Sequence, residues 1–179
     1  RFPAAQDDAW AALRWLAEHG TALGLDTQRL AVGGDSAGGT LAAVCAIQAR
    51  DHRLRLALQL LITPGTAALA THASRHLFAN GFLLDAATIE WFFEQTIDRS
   101  QRHDWRFAPL EAEDLSGVAP ACVIVAECDP VADEGVAYAD KLRLAGVSVH
   151  LDLVRGMTHD FIKMGRVLKE AAAAQQFAA

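Results

Sequence analysis

Residues 30–39 read Leu-Ala-Val-Gly-Gly-Asp-Ser-Ala-Gly-Gly, and this stretch decides the fold. The short apolar run at 30–33 stops at glycines and predicts a buried β-strand, while 37–50 is apolar nearly all round and predicts a buried helix. Ser36 therefore lies in a strand-to-helix turn of the pattern G-x-S-x-G. A tight turn of this kind lifts a serine hydroxyl clear of the sheet, with a helix N-terminus beside it that favours negative charge. A glycine-rich turn that binds phosphate or has no function is the alternative.

Apolar patterns elsewhere predict further strands and helices. The strands are expected at 56–62, 121–126 and 147–153, and the helices at 7–19, 85–97, 133–145 and 165–177. Strands that alternate with helices are typical of an α/β fold, with a mostly parallel sheet and helices on both faces. Residues 147–153 alternate apolar with polar side chains, which indicates a strand near the sheet edge.

The stretch between the second and third strands is too long for a plain crossover connection. Residues 66–108 are rich in histidine, arginine and aromatic side chains, and insertions of this size are usually lids or pocket walls. We therefore expect one domain over 1–179, with 66–108 as a cap-like or lid-like insertion.

Composition excludes several classes of protein. The chain is 52% hydrophobic, which excludes a disordered protein, and its net charge of −6 argues against a nucleic-acid partner. It has no apolar run of about 20 residues, so no membrane span is predicted. Cys45, Cys122 and Cys128 lie in or beside apolar runs without CxxC spacing. They are expected to be buried free thiols rather than disulfides or zinc ligands, and a reducing cytoplasm fits best.

A serine nucleophile needs a base, and the base needs a carboxylate to orient it. Asp129 follows the third predicted strand and His159 follows the fourth, so both are expected at the edge of the sheet where Ser36 lies. The order Ser, Asp, His along the chain is the one expected of this fold. Asp133 is the second candidate for the acid. Asp35 neighbours Ser36 on the chain, so its side chain is expected to point away from the histidine.

Three motifs in this order carry a resemblance to a known family. They are GDSAGG at 34–39, ECDPVADEG at 127–135 and GMTHDF at 156–161. The chain resembles the hormone-sensitive-lipase-like carboxylesterases (bacterial family IV) of the α/β-hydrolase fold. Three further segments extend the likeness over most of the chain: 2–16 is similar to the helix after the family's fourth strand, 80–93 to its cap and 115–127 to its seventh strand.

The resemblance implies hydrolysis of short to medium acyl esters through an acyl-serine intermediate. Ser36 would be the nucleophile, His159 the general base and acid, and Asp129 the orienting carboxylate, with the Ala37 backbone N–H donating to the oxyanion. It implies neither a metal nor an organic cofactor, and the partner is a small-molecule ester. Asp35, Trp91 and Phe92 are the candidates for substrate binding, although the two aromatic residues fit a helix core equally well.

The chain also departs from the family pattern. The second oxyanion element, HGGG or HGG, is absent, since the only His-Gly pair is His19-Gly20 at a predicted helix end. We expect that element and the first strands upstream of Arg1, and we expect the 179 residues alone to be unstable and weakly active. Asp160 stands where a glycine is common in the family. Some members dimerise edge to edge, so a homodimer through 147–153 is open.

Two other functions remain open from the sequence. A non-catalytic binding protein of the same fold would keep the pocket but lose members of the triad. An acyltransferase or a peptidase would use the same three residues on another substrate.

Overall fold

The computed structural model describes residues 1–178. Its strands are β1 (Ala31–Asp35), β2 (Leu58–Ile62), β3 (Ala121–Cys128) and β4 (Val149–Thr158). Its α-helices are α1 (Ala4–His19), α2 (Ala37–Asp51), α3 (Ala73–Leu77), α4 (Ala86–Thr96), α5 (Ala132–Leu144) and α6 (Lys169–Ala178), and four short 3-10 helices complete the list (Gly20–Leu23, Arg99–Gln101, Pro109–Glu111 and Phe161–Met164).

The four strands form one sheet in the order β1-β2-β3-β4, and every neighbouring pair is parallel. The predicted parallel α/β sheet is therefore confirmed. Within the described residues, β1 and β4 are the outer strands, as the alternating pattern of 147–153 predicted for the latter. Because all strands run the same way, their carboxyl ends meet at one edge, where ligand sites of such sheets lie.

Alternate side chains of β3 enter two separate cores. Val123 and Val125 pack with α1, α2 and α5 on one face of the sheet. Ile124 and Ala126 pack with α6 and with the buried ring of Phe161 on the other face. A strand covered on both faces must be apolar throughout, which is why 121–126 reads as a continuous hydrophobic run.

Element boundaries differ from the predictions at the C-terminal end of the chain. The strand expected at 147–153 begins at Val149 and continues to Thr158, and the helix expected from residue 165 begins at Lys169. The prediction of helix over 165–168 is wrong. The Gln175 side chain folds back over Gly165 and donates to the Ile162 carbonyl at 2.7 Å, so this stretch turns before the helix starts.

Residues 66–108 contain α3, which the sequence pattern did not predict, and α4, which it did. Asp85 caps α4 by accepting a hydrogen bond from the Thr88 backbone N–H at 2.6 Å. The segment has a small apolar core of its own, formed by Ala68, Ile97, Phe107 and Ala108. This core lets the segment hold a shape apart from the sheet.

The three cysteines are free thiols, as predicted. Cys45 and Cys122 are buried, and burial raises the pKa of Cys45 to about 11. Cys128 is only half-buried, so the prediction of burial holds for two of the three. Across residues 1–178, the helices are all too short or too polar to cross a bilayer.

Candidate active site

Three turns at the carboxyl edge of the sheet bring the predicted triad together. Ser36 follows β1, Asp129 follows β3 and His159 follows β4. The serine and the histidine are 123 positions apart in the chain, yet their side chains are in hydrogen-bond contact. Because β1 to β4 are all parallel, these three turns lie at the same edge of the sheet.

Ser36 occupies a strained turn between β1 and α2. Its backbone has φ 57° and ψ −118°, a conformation that non-glycine residues rarely adopt. The turn is secured by the Ser36 N–H, which donates to the Ile62 carbonyl of β2 at 2.9 Å. The strain is thus imposed by the sheet and the helix that the turn connects.

The two motif glycines do different work. A Cβ on Gly34 would lie 2.2 Å from the backbone carbonyl carbon and oxygen of Gly38, so no side chain fits at Gly34. A Cβ on Gly38 itself would meet nothing within 4 Å. The close approach of the backbone therefore requires glycine at Gly34 but not at Gly38.

A continuous hydrogen-bond relay joins the three side chains. The Ser36 hydroxyl lies 2.9 Å from His159 Nε2, and His159 Nδ1 lies 2.7 Å from Asp129 Oδ2. Asp129 is fully buried, and its other oxygen accepts the Val131 backbone N–H at 3.0 Å. With Nδ1 donating to the carboxylate, Nε2 is left as an acceptor for the serine proton.

Several carboxylates act on the imidazole. Burial disfavours the charged ring, but the hydrogen bond and charge of Asp129, followed by the charges of Asp160 and Asp35, outweigh it and raise the pKa of His159. A raised pKa makes the ring a stronger base. The arrangement can therefore draw a proton from Ser36 above that pKa.

Asp133 is not part of this relay. It lies in the first turn of α5, and its carboxylate accepts the Ser74 backbone N–H at 2.8 Å, while its own N–H donates to the Ser74 hydroxyl at 3.2 Å. These contacts tie α5 to α3. Between the two candidate acids, the structure brings only Asp129 to the histidine.

Asp35 lies beside the relay without hydrogen bonding to His159, in agreement with the expectation that it points away. Its Oδ1 accepts the Thr63 hydroxyl at 2.9 Å, and its Oδ2 lies 2.8 Å from the Lys163 ammonium. Lys163 also pairs with the Asp160 carboxylate. No sequence pattern indicated Lys163, which lies on the short 3-10 helix that follows His159.

A cavity of about 650 Å³ opens over Ser36 and His159. The charged residues that line it are Asp35, Asp160, Lys163, Arg75 and Glu134. Its apolar wall comes largely from the 66–108 segment and consists of Leu41, Leu83, Leu84, Ile89, Phe92, Phe93 and Phe107. Phe92 thus lines the cavity as a substrate-binding residue would. Trp91 does not line it, although the two residues are similarly exposed, at 56% for Trp91 and 50% for Phe92.

A buried ion pair supports the cavity floor and was missed by the sequence analysis. Arg75 Nη2 lies 3.0 Å from Glu134 Oε2, and both side chains are almost completely buried. Glu134 Oε1 also accepts the backbone N–H groups of Thr66 and Ala67 at 2.7 and 3.2 Å. Burial raises the pKa of Glu134, against the charge of Arg75 and these two N–H donors. The pair joins α3 and the start of the 66–108 segment to α5.

The sequence predicts the Ala37 backbone N–H as an oxyanion donor. Ala37 is the first residue of α2, so its N–H has no carbonyl partner within the helix, and it lines the cavity. His19-Gly20 lies at the end of α1, where His19 Nδ1 donates to the Trp15 carbonyl at 3.0 Å. As predicted, His19 and Gly20 end helix α1, and they are not part of the site.

Comparison with known proteins identifies the family. The model of a family described as alpha/beta hydrolase fold matches residues 1–163. The chain belongs to this family. The predicted fold class is thereby confirmed, and the order of the three turns around the sheet is the one in which its members carry a serine nucleophile.

Named relatives of this chain are ester hydrolases. It is 49% identical over 175 residues to ethyl acetate hydrolase of Pseudomonas putida, covering 96% of this chain and 55% of the relative. It is 45% identical over 171 residues to the carboxylic ester hydrolase LipN of Mycobacterium tuberculosis, covering 90% of this chain and 45% of the relative. The chain spans about half the length of the curated relatives it matches.

Solved structures are similar throughout the chain. A thermostable esterase from Pseudomonas putida superposes with a TM-score of 0.95 at 40% identity, covering 99% of this chain and 58% of that one. A thermostable carboxylesterase cloned from a metagenomic library gives a TM-score of 0.96 at 36% identity, covering 99% and 62%. The predicted likeness to esterases of the α/β-hydrolase fold is confirmed.

Proposed function

We propose that the protein is a serine carboxylic ester hydrolase of the hormone-sensitive-lipase-like group that works through an acyl-serine intermediate. One observation carries this proposal: the unbroken relay from the Ser36 hydroxyl through His159 to the buried Asp129, at distances of 2.9 and 2.7 Å, at the mouth of a cavity. The ester hydrolases among its relatives support the same reaction class.

We assign each residue a step in this reaction. His159 Nε2 accepts the Ser36 proton as the hydroxyl oxygen attacks the ester carbonyl, and the same proton then passes to the departing alcohol. Asp129 holds the ring orientation and stabilises the imidazolium that forms. The Ala37 N–H, at the positive end of α2, donates to the developing oxyanion. Water repeats the sequence on the acyl-enzyme and regenerates the free serine.

The proposed substrates are esters with short to medium acyl chains. The apolar wall over Ser36 suits an alkyl group, and about 650 Å³ is within the range of cavities that hold small ligands. We assign residues 66–108 the role of a cap, because they supply most of that wall and are tied to α5 by the Arg75–Glu134 ion pair. Phe92 is proposed as an acyl contact.

Labelling with a fluorophosphonate probe, together with p-nitrophenyl butyrate hydrolysis, tests the proposal. The expected result is one label on Ser36 and ester turnover, both lost in Ser36→Ala and retained in the control Ser100→Ala, whose residue is exposed and outside the cavity. A wild-type protein that takes no label would refute the esterase and leave the binding-protein alternative. Labelling with turnover of amide or acyl-transfer substrates but not esters would replace the esterase with a peptidase or an acyltransferase.

Two finer proposals concern the cellular compartment and the oligomeric state of the protein. The three free thiols support a reducing compartment, and we assign the protein to the cytoplasm.

Within the described residues β4 pairs with β3 alone, which supports a homodimer formed along its outer edge. Sedimentation of the wild type and of a variant with proline at Leu151 tests the dimer, since proline removes an N–H from a strand edge. A monomeric wild type would refute the dimer.

A further inference from the structure

A charged bridge connects the turn that carries the nucleophile to the turn that carries the base. Asp35 immediately precedes Ser36 and Asp160 immediately follows His159. The Lys163 ammonium contacts both carboxylates, with Asp35 Oδ2 at 2.8 Å. All three residues line the cavity, and without the lysine the two carboxylates would have no cation beside them there.

The bridge is built by two features on either side of it. Thr63, which follows β2, donates to Asp35 Oδ1 at 2.9 Å and fixes that carboxylate. Asp160 has φ 62°, and the short 3-10 helix that starts there places Lys163 one turn later, with its N–H donating to the Asp160 carbonyl at 3.0 Å. Asp35 keeps 19% of its side chain exposed and Lys163 keeps 60%, so their contact is partly solvated.

The charges that face His159 come from three turns. Asp129 is hydrogen bonded to the ring, and Asp35 and Asp160 act on it through space. Lys163 is the cation next to the last two. A second ion pair, Arg75 with Glu134, also lines the cavity, and its opposite charges leave no net charge there. Without Lys163 the mouth of the cavity would hold two uncompensated negative charges beside the imidazole.

We propose that Lys163 is a positioning residue that holds the Ser36 and His159 turns in register and offsets the two carboxylates beside the imidazole. The inference rests on the proposed esterase activity and deepens it. Asp160 and Lys163 act as a unit: the carboxylate in place of glycine brings a negative charge next to the base, and the lysine cancels it. The pair thereby sets the lowest pH at which His159 is free to take a proton.

The role of Lys163 is tested by the pH dependence of kcat/KM for p-nitrophenyl butyrate. The profile is measured at low ionic strength and again in 0.5 M NaCl, where the Debye length is about 4 Å. Lys163→Met should move the acidic limb upward by about half a pH unit, because one cation is lost near the ring. Asp160→Asn should move it downward by a similar amount. The double variant should return to the wild-type limb, and salt should shrink each shift.

Two controls separate this role from a loss of local packing. Lys163→Arg keeps the positive charge and should leave the acidic limb of the pH profile where it is in the wild type. Lys169→Met removes an exposed lysine outside the cavity and should also leave the limb unchanged. A purely structural loss would lower kcat at every pH without moving the limb. Two results would overturn the proposal. One is an acidic limb of the pH profile that does not move in Lys163→Met at low salt, and the other is a double variant whose limb moves as far as that of Lys163→Met.

Proton NMR titration of the His159 ring, assigned with His159→Gln, makes the test independent of turnover. The same upward and downward shifts should appear in the ring pKa of Lys163→Met and Asp160→Asn. If the protein proves inactive on esters but the ring pKa moves as described, the esterase proposal fails and the charge-offset role stands. If turnover is present and the ring pKa does not move, the charge-offset role alone fails.

Discussion

Alanine at Gly34 should disrupt the nucleophile turn, whereas alanine at Gly38 should be tolerated. Both residues belong to the same G-x-S-x-G pattern and both flank Ser36 at the same distance in sequence. They differ in what a Cβ would meet: backbone atoms of Gly38 at 2.2 Å in the first case and open space in the second. The two substitutions therefore form a matched pair with the same added volume.

The expected magnitudes follow from these contacts. A contact of 2.2 Å with backbone on a turn already secured to β2 cannot be relieved by a side-chain rotation, so the turn itself must shift. Overpacking of this kind costs about 3 kcal/mol or more. Gly38 lies in the first turn of α2, and a glycine-to-alanine change in a helix gains up to about 1 kcal/mol.

Thermal unfolding and probe labelling report the two effects. At roughly 2–4 °C per kcal/mol for a chain of this size, Gly34→Ala should lower Tm by about 6–12 °C, and Gly38→Ala should leave it unchanged or raise it slightly. The rate of fluorophosphonate labelling at Ser36 should fall at least about 100-fold in Gly34→Ala, because a misplaced nucleophile loses its alignment with the base. In Gly38→Ala it should stay within a few-fold of the wild type.

Two outcomes would refute the reasoning. One is a Gly34→Ala protein with the Tm and labelling rate of the wild type, which would mean that the turn has room for a side chain. The other is equal damage from Gly38→Ala, which would place an unseen constraint at that glycine.

Further predictions address the base, its acid partner and the ion pair. Hydrolysis should fall as pH drops through the raised pKa of His159, which the pH profile of kcat/KM would show. The stability that this group adds below about pH 6.5 should be lost as pH rises through that pKa, which urea unfolding at several pH values would show. Asp129→Asn should lower kcat on the order of 10³–10⁴-fold in steady-state assays, while Asp133→Asn should not. Arg75→Met should cost about 3–5 kcal/mol in urea unfolding, because Glu134 is left buried without its cation; a loss below 1 kcal/mol would contradict this.

Local features of the fold could be predicted because they depend on neighbours in the chain. The strand before Ser36, the buried helix after it and the helix α4 all follow from patterns within a few residues. The prediction of helix at 165–168 was wrong for the opposite reason. The Gln175 side chain lies over Gly165, and a pattern of apolar spacing carries no information about such a contact between residues ten positions apart.

The candidate site divides in the same way. The order of serine, acid and base along the chain indicated Ser36 and His159, and it left Asp129 and Asp133 as alternatives. Its place directly after the third strand favoured Asp129, and in the structure Asp129 contacts the histidine while Asp133 contacts Ser74 of α3. Trp91 and Phe92 were equivalent in sequence, and the rotation of α4 decides that Phe92 faces the cavity.

By itself, the sequence determined that a strained serine turn joins a buried strand to a buried helix, since glycine spacing and apolar runs act locally. Tertiary structure alone decided which charges surround the base. Asp35 comes from the turn after β1, whereas Asp160 and Lys163 come from the segment after β4, and they meet because parallel strands bring their carboxyl ends to one edge of the sheet. Electrostatic effects depend on distance through space, and the sheet register sets that distance.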